Sequence, residues 1–395
     1  MRMEALKQTN YVKSIVTAQD KMDLEKKGKQ SYQGWMYARL LAFSNGDLQS
    51  LYDRSDGFYR RQLILTTKEK PAARKDDPAI AEKCGLRTDI FPPVRECGEV
   101  IAHVSAQGAA ETGLAEGTPV VVGGGDAQLG CVGVGVVAPN QAAVFGGSFW
   151  QYEFNTANGK TDPGCRVRVN CHAVPGVWQY EALAFKPGLV MRWFRDGFCQ
   201  LEKQQAEATG KDPYYLMDKE AAKVPAGCYG MMCTFSDVMN FISWKHASPT
   251  FTNFELDPEK FSRYTFYRAI LENTAMVTKG HLELVKEATG NMPQEIVFAG
   301  GAAKSPLWCQ IVADVLGLPV QTVQAPESPA LGAAILAGVA AGVYPDVPSA
   351  SAALVRPGEP LLPDAERSAA YEPYYRLYES LYPALKPACG RLAAL

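Results

Sequence analysis

Beyond residue 84 the chain alternates short apolar runs that end in glycine with longer stretches whose apolar residues return every three or four positions. The runs "VVVGG", "AAVFGGSF" and "VWQYEALAF" predict strands, and their glycines permit a sharp exit from each. "GLVMRWFRDGFCQLEKQQAEA" predicts one amphipathic helix. A second cycle follows, with a helix around "YRAILENTAMVTKGHLELVKEATG", the strand "EIVFAGGA", the helix "SPLWCQIVADVLG", the short strand "PVQTV" and the small-residue helix "SPALGAAILAGVAAG". Strand and helix in alternation define the α/β class. The C-terminal "AAYEPYYRLYESLYPALKP" predicts an amphipathic helix whose tyrosine stripe packs rather than acts.

The first 83 residues differ in texture. Residues 1–30 are polar and rich in Lys and Glu, and predict a charged helix or a mobile arm. Apolar residues return at helical intervals over residues 31–51, "RRQLILTTK" reads as a strand, and "KEKPAARKDDPAIAEK" reads as a linker. This segment holds 16 Lys and Arg against 11 Asp and Glu, although the whole chain has a formal charge of -2. The asymmetry points to two pieces of different origin.

At 395 residues the chain is long enough for two or three domains. Its ten cysteines are scattered without regular spacing, which fits a reduced, cytoplasmic protein better than a disulfide framework. Cys228 and Cys233 lack zinc-knuckle spacing, and His103, His172, His246 and His281 are far apart, so no metal site is expected. No apolar run is long enough to span a bilayer, and no membrane partner is expected.

Three glycine turns carry the candidate chemistry. In "GGGDAQ" an apolar strand ends in glycines and one acid, Asp126. An acid held at such a turn can take a proton from a substrate hydroxyl, and it can equally be a turn aspartate that caps the next segment. In "VFGGSFW" the backbone N–H groups around Gly147 and Ser148 can cradle a phosphate, although hairpins use the same residues. In "FAGGAAKSPLWCQIVAD" Ser305 and Pro306 make a good helix start, whose free N–H groups suit a nucleotide phosphate or ribose. The plain alternative is an ordinary tight βα loop.

Together and in this order, the three turns resemble the FGGY family of carbohydrate kinases. "RVNCHAVPG", "GLVMRWFRDGFC" and "FSDVMNFISWKHASPTFTNF" carry the likeness further, over about 310 residues. The resemblance implies an actin-like (ribonuclease H-like) sugar-kinase fold with ATP in the cleft between two α/β domains and Mg²⁺ accompanying it. It implies Asp126 as the general base that deprotonates the acceptor hydroxyl for in-line attack on the γ-phosphoryl group. Gly147 and Ser148 match the second phosphate loop, where the family usually has Gly-Thr; either Gly147 replaces the threonine or Ser148 stands in for it. Gly301 and Ser305 fall where the family meets adenosine, and Gly188 and Arg192 where a helix faces the nucleotide. Glu327 starts a helix on the adenosine side and is not read as a ligand. The implied acceptor is a small sugar-like hydroxylated carbonyl compound, dihydroxypentanedione.

The family's opening phosphate loop, whose aspartate helps hold magnesium, has no counterpart in residues 1–83. Its loss is expected to impair turnover, because phosphoryl transfer depends on positioning and charge neutralisation. Residues 31–83 instead resemble the end of the helicase module of phage and plasmid primases, with Arg60 or Arg61 near the position of an arginine finger. The expected organisation is therefore a helix-rich primase-like segment at 1–83, a truncated first kinase domain at 84–245 and a nucleotide-binding second domain at 246–395. The unpaired strands of the truncated domain, including "PVVVGGG" and "AAVFGGS", would favour a homo-oligomer. Two alternative functions are an inactive adenine-nucleotide-binding remnant and, with less support, a nucleic-acid module in residues 1–83, where no groove-reading motif accompanies the basic charge.

Overall fold

The computed structural model describes residues 22–24, 32–34, 95–184, 187–235, 249–324 and 327–392. By its contacts the chain divides into Met1–Pro92 and Pro93–Leu395. In the first unit, β1 (Met22–Leu24) pairs antiparallel with β2 (Tyr32–Gly34), Leu24 standing opposite Tyr32. A charged helix or arm was the expectation over residues 1–30, and the described residues there form a strand. Of the stretch expected to be helical at 31–51, the described residues Tyr32–Gly34 are strand; the rest of it, Arg60, Arg61 and the linker lie outside the described residues.

The second unit opens with β3 (Val100–His103) and β4 (Pro119–Val121), an antiparallel pair joined through α1 (Ala106–Thr112). Ser105 caps α1, its hydroxyl accepting from Gly108 N–H, and left-handed Gly113 ends it. The chain then enters α2 (Asp126–Gly133).

A six-stranded sheet follows, built from β5 (Ala142–Gly146), β6 (Trp150–Thr156), β7 (Arg168–Cys171), β8 (Trp178–Ala184), β11 (Ile296–Ala299) and β12 (Val320–Thr322). Its order is β12-β11-β5-β6-β8-β7. β12, β11 and β5 run parallel, whereas β6, β8 and β7 are joined antiparallel. Strands covered on both faces read as unbroken apolar runs, and "IVFA" of β11 is buried throughout. β5 lies between β11 and β6, so the unpaired edge expected at "AAVFGGS" does not exist: the segment that pairs it comes from the second half of the chain. The division expected after residue 245 falls outside the described residues, and this one sheet draws strands from both sides of it.

One face of the sheet packs Trp150, Tyr152, Phe154 and Tyr180 into the main core, beside the long helix α6 (Arg263–Thr289). Trp150 donates from Nε1 to Thr278 Oγ1 at 2.9 Å and stacks on Trp308 of α7 (Pro306–Leu316). α10 (Ala365–Leu392) closes this side, and its buried residues are Tyr371, Tyr375, Tyr378 and Tyr382, the stripe legible in the sequence.

Between the sheet's antiparallel half and α6 come α3 (Pro187–Phe198), α4 (Gln200–Thr209), α5 (Pro213–Ala221) and the strand pair β9 (Met232–Thr234) and β10 (Thr250–Thr252). The single helix predicted from "GLVMRWFRDGFCQLEKQQAEA" is two. Cys199 leaves the helical region, with φ -116° and ψ 47°, and its side chain is buried where the chain turns.

The other face of the sheet carries α2, α8 (Ser328–Ala340) and α9 (Val347–Leu354). α2 and α8 touch backbone to backbone through glycines. A Cβ on Gly133 would stand 2.0 Å from Ser328 O, and one on Gly332 would stand 2.0 Å from Leu129 O. This crossing fixes the helix that begins with Asp126.

Candidate functional site

Asp126 is the first residue of α2, after Gly125 in extended conformation. Its Oδ1 accepts from Ala127 N–H at 2.9 Å, so it does satisfy a helix-start donor. The side chain also borders a cleft of about 580 Å³, whose walls include Arg95, Gly124, Gln128, Phe149, Gln151, Arg168, Asn170, His172 and Glu181. The side chain thus contacts the helix start and is open to the cleft.

The cleft floor is the polar side of β6, β8 and β7. Gln128 Nε2 donates to Gln179 Oε1 at 2.7 Å, and Gln179 Nε2 contacts Cys131 Sγ at 2.9 Å, which ties α2 to β8. Two residues along β8, Glu181 accepts from Asn170 Nδ2 at 2.8 Å and from Arg168 Nη1 at 3.3 Å. His172 is buried, with Nδ1 accepting from Val174 N–H at 3.0 Å. Burial lowers its pKa to about 4, so the ring facing the cleft is neutral near neutral pH.

The second glycine turn has hairpin geometry. Gly146 and Trp150 are in register across β5 and β6, and Gly147 N–H donates to Phe149 O at 2.9 Å. That N–H is therefore occupied within the turn, a correction to the expectation of a free phosphate-cradling donor there. The turn meets α3 directly: a Cβ on Gly188 would stand 1.9 Å from Gly147 O. One turn along α3, Arg192 Nη2 reaches Ser148 Oγ at 3.4 Å. Gly147, Ser148, Gly188 and Arg192 thus form one cluster, and Phe149 of the same turn borders the Asp126 cleft.

The third turn lies beside it. β5 and β11 are adjacent parallel strands ending in Gly146 and Ala299, and Gly300, with φ +89°, turns the chain across Gly146 O. Gly301 opens a 3₁₀ turn (Gly301–Lys304), after which Ser305 Oγ accepts from Trp308 N–H at 3.0 Å and caps α7. Ser305 is also a hydrogen-bond partner of Asp218, whose other contact is Tyr267 Oη at 2.7 Å. Its hydroxyl is committed to holding the loop. Two glycine loops at the carboxyl ends of neighbouring parallel strands form the type of crevice in which open α/β sheets bind ligands.

The cleft-floor residues Gln151, Arg168, Asn170 and Glu181 were not singled out by the glycine turns. The signal for Gln151, on β6, was the alternation in "WQYEFN", whose polar positions would ordinarily face solvent. Among the described residues no three His, Cys, Asp or Glu side chains meet so as to hold a metal ion. A magnesium ion that accompanies ATP takes its ligands chiefly from phosphates and water with one or two carboxylates, so it needs no such cluster. Among the described residues no helix is long and apolar enough to cross a membrane.

Comparison with known proteins accounts for this arrangement. The fold is that of the actin-like sugar kinases: xylulose kinase from Rhodospirillum rubrum superposes with a TM-score of 0.68 at 28% identity, covering 80% of this chain and 61% of that one. Ligand-bound xylulose kinase from Lactobacillus acidophilus shares the fold at 19% identity, with a TM-score of 0.69 over 81% of this chain and 63% of that one. Family models match for the N-terminal domain of the FGGY family of carbohydrate kinases at residues 72–133, and for its C-terminal domain at 155–341. Autoinducer-2 kinase from Yersinia enterocolitica is 48% identical over 309 residues, 78% of this chain and 58% of its own length. The enzyme of the same name from Yersinia pestis (strain Pestoides F) is 47% identical over 309 residues, with the same coverage. The chain belongs to the FGGY family of carbohydrate kinases, and it spans 58% of the length of these two relatives.

Proposed function

We propose that this chain carries the phosphoryl-transfer site of an autoinducer-2 kinase, moving the γ-phosphoryl group of ATP to a hydroxyl of a small sugar-like acceptor, dihydroxypentanedione. The supporting observation is positional. Asp126 opens α2 on the wall of a polar cleft, and that cleft shares Phe149 with the Gly147–Ser148 turn on which Gly188 and Arg192 converge.

In this reading the acceptor lies on the cleft floor with one hydroxyl at Asp126. The Asp126 carboxylate takes the hydroxyl proton as that oxygen bonds to the γ-phosphorus, and the bond from phosphorus to the bridging oxygen breaks to release ADP. A positioned base of this kind contributes about 10²- to 10⁴-fold. Ser148 Oγ and the Arg192 guanidinium face the phosphates, with Arg192 supplying positive charge against the anion. The Gly300–Gly301 turn and the Ser305-capped start of α7 receive the adenosine side. Glycine there lets the backbone approach the nucleotide closely.

The test is incubation of the purified chain with ATP and dihydroxypentanedione, followed by mass spectrometry of the acceptor. A singly phosphorylated product that requires ATP is expected. A melting temperature raised by ATP without any product would favour the nucleotide-binding remnant instead. Neither product nor shift at millimolar ATP would overturn both readings.

A further inference from the structure

Behind the cleft floor lies an acid that the phosphoryl-transfer reading does not use. Glu153, at the middle of β6, is fully buried, and neither of its carboxylate oxygens has a hydrogen-bond partner. Its surroundings are acidic. Glu153 is in register with Ala143 on β5 and with Glu181 on β8, and Glu181 is in register with Arg168 on β7. One row across four strands therefore reads Ala, Glu, Glu, Arg on the face beneath α2.

Arg168 and Asn170 are already engaged with Glu181. From α2 the groups that bear on Glu153 electrostatically are Asp126 and Cys131; from β8 it is Glu181, and from β7 Arg168. An ionised Glu153 would be a third carboxylate against one guanidinium, in a place water does not reach. A buried carboxylate without a donor takes up a proton instead. Desolvation first, then the charges of Glu181 and Asp126, push this carboxyl well above the usual carboxylate range.

We propose that Glu153 is a charge-setting residue of the transfer site: it holds a proton behind the cleft wall, so that the group Asp126, Glu153 and Glu181 carries one negative charge fewer than its composition, and losing that proton weakens ATP binding. The inference rests on the reading of this cleft as the place where ATP and acceptor meet. The nucleotide triphosphate is a polyanion, and one extra buried negative charge nearby is little screened by salt. Glu153 touches neither substrate nor nucleotide here and acts only through charge.

Two measurements on the full chain test this, using Glu153→Gln, which keeps the shape and cannot ionise, and Glu153→Val, which suits a strand and removes the polar group. In thermal melts from about pH 5 to about pH 9, a carboxyl raised in the folded state contributes stability that is whole below the unfolded pKa and is lost as pH rises through the folded value. The melting temperature of either variant should therefore gain on wild type steadily as pH rises. Parallel curves for wild type and both variants would overturn the proton. Calorimetric titration with ATP should show wild-type affinity falling roughly fivefold on the alkaline side, the effect of one added charge across a partly screened distance, with Glu153→Gln flat. If the melts diverge as expected and ATP affinity is pH-independent in wild type, the link to nucleotide is wrong. If the melts diverge and ATP does not bind at any pH, the reading of the cleft fails while the buried proton stands.

Discussion

A Cβ on Gly188 would lie 1.9 Å from the carbonyl oxygen of Gly147 and 3.0 Å from Ser148 Cα, so the first turn of α3 rests on the backbone of the β5–β6 turn. Both partners are backbone, and no rotamer can relieve an added methyl group. Gly188→Ala is expected to lift α3 from the turn, separate Arg192 from Ser148 and cost about 1–3 kcal/mol of stability. ATP affinity should fall roughly tenfold, the equivalent of one lost charge-assisted contact. Urea unfolding and calorimetric ATP titration check both; an unchanged midpoint with unchanged affinity would contradict the contact's role.

The crossing of α2 and α8 makes a second prediction, because it holds Asp126 without touching any ligand. Gly332→Ala places a methyl group against Leu129 O, and Gly133→Ala places one against Ser328 O. Each should destabilise by about 1–3 kcal/mol, and the double variant by less than the sum, since one small separation of the helices relieves both clashes. Additive losses in urea unfolding would mean that the two contacts are independent.

Acid pH should unfold the protein through its buried imidazoles. His281, inside α6, is fully buried with neither ring nitrogen partnered, and burial lowers its pKa to about 3, as it lowers that of His172 to about 4. Both values lie below the unfolded value near about 6.5, so each ring is neutral when folded and the unfolded chain takes up protons first. Stability is whole above about pH 6.5 and falls as pH drops through about 4 and then about 3, by a few kcal/mol per ring. His281→Met, apolar and adaptable, should flatten the acid limb of the melting temperature against pH. An identical acid limb in that variant would show that His281 is not what fails.

The residues that could be read in advance were those whose pattern has one physical cause. "AAVFGG" and "EIVFAGG" announce buried strands with glycine exits because parallel strands are covered on both faces, and the structure sets β5 and β11 side by side. The tyrosines of α10 fell on one stripe because one face of that helix is buried. The floor of the cleft was not legible. In "WQYEFN" the alternation correctly separates Trp150, Tyr152 and Phe154 from Gln151, Glu153 and Asn155, yet the polar set faces α2 rather than water, with Glu153 and Asn155 fully buried. Period-2 patterning reports which residues share a face and is silent about what covers it. The break at Cys199 was hidden for a similar reason, since the apolar spacing of α3 resumes in α4 and the nearest glycine, Gly197, lies inside α3 rather than at the turn.

The most direct test of the account is the rate at which wild type and Asp126→Asn transfer labelled phosphoryl from ATP to dihydroxypentanedione, measured at saturating acceptor. Asparagine keeps the size of the side chain and an oxygen for the Ala127 N–H, so α2 should still begin at the same residue and the melting temperature should stay close to wild type. Removing the base alone is expected to lower the rate about 10²- to 10⁴-fold with ATP affinity retained. Equal rates from the two proteins, or no transfer from wild type under these conditions, would contradict the assignment of Asp126 and of the cleft it opens onto.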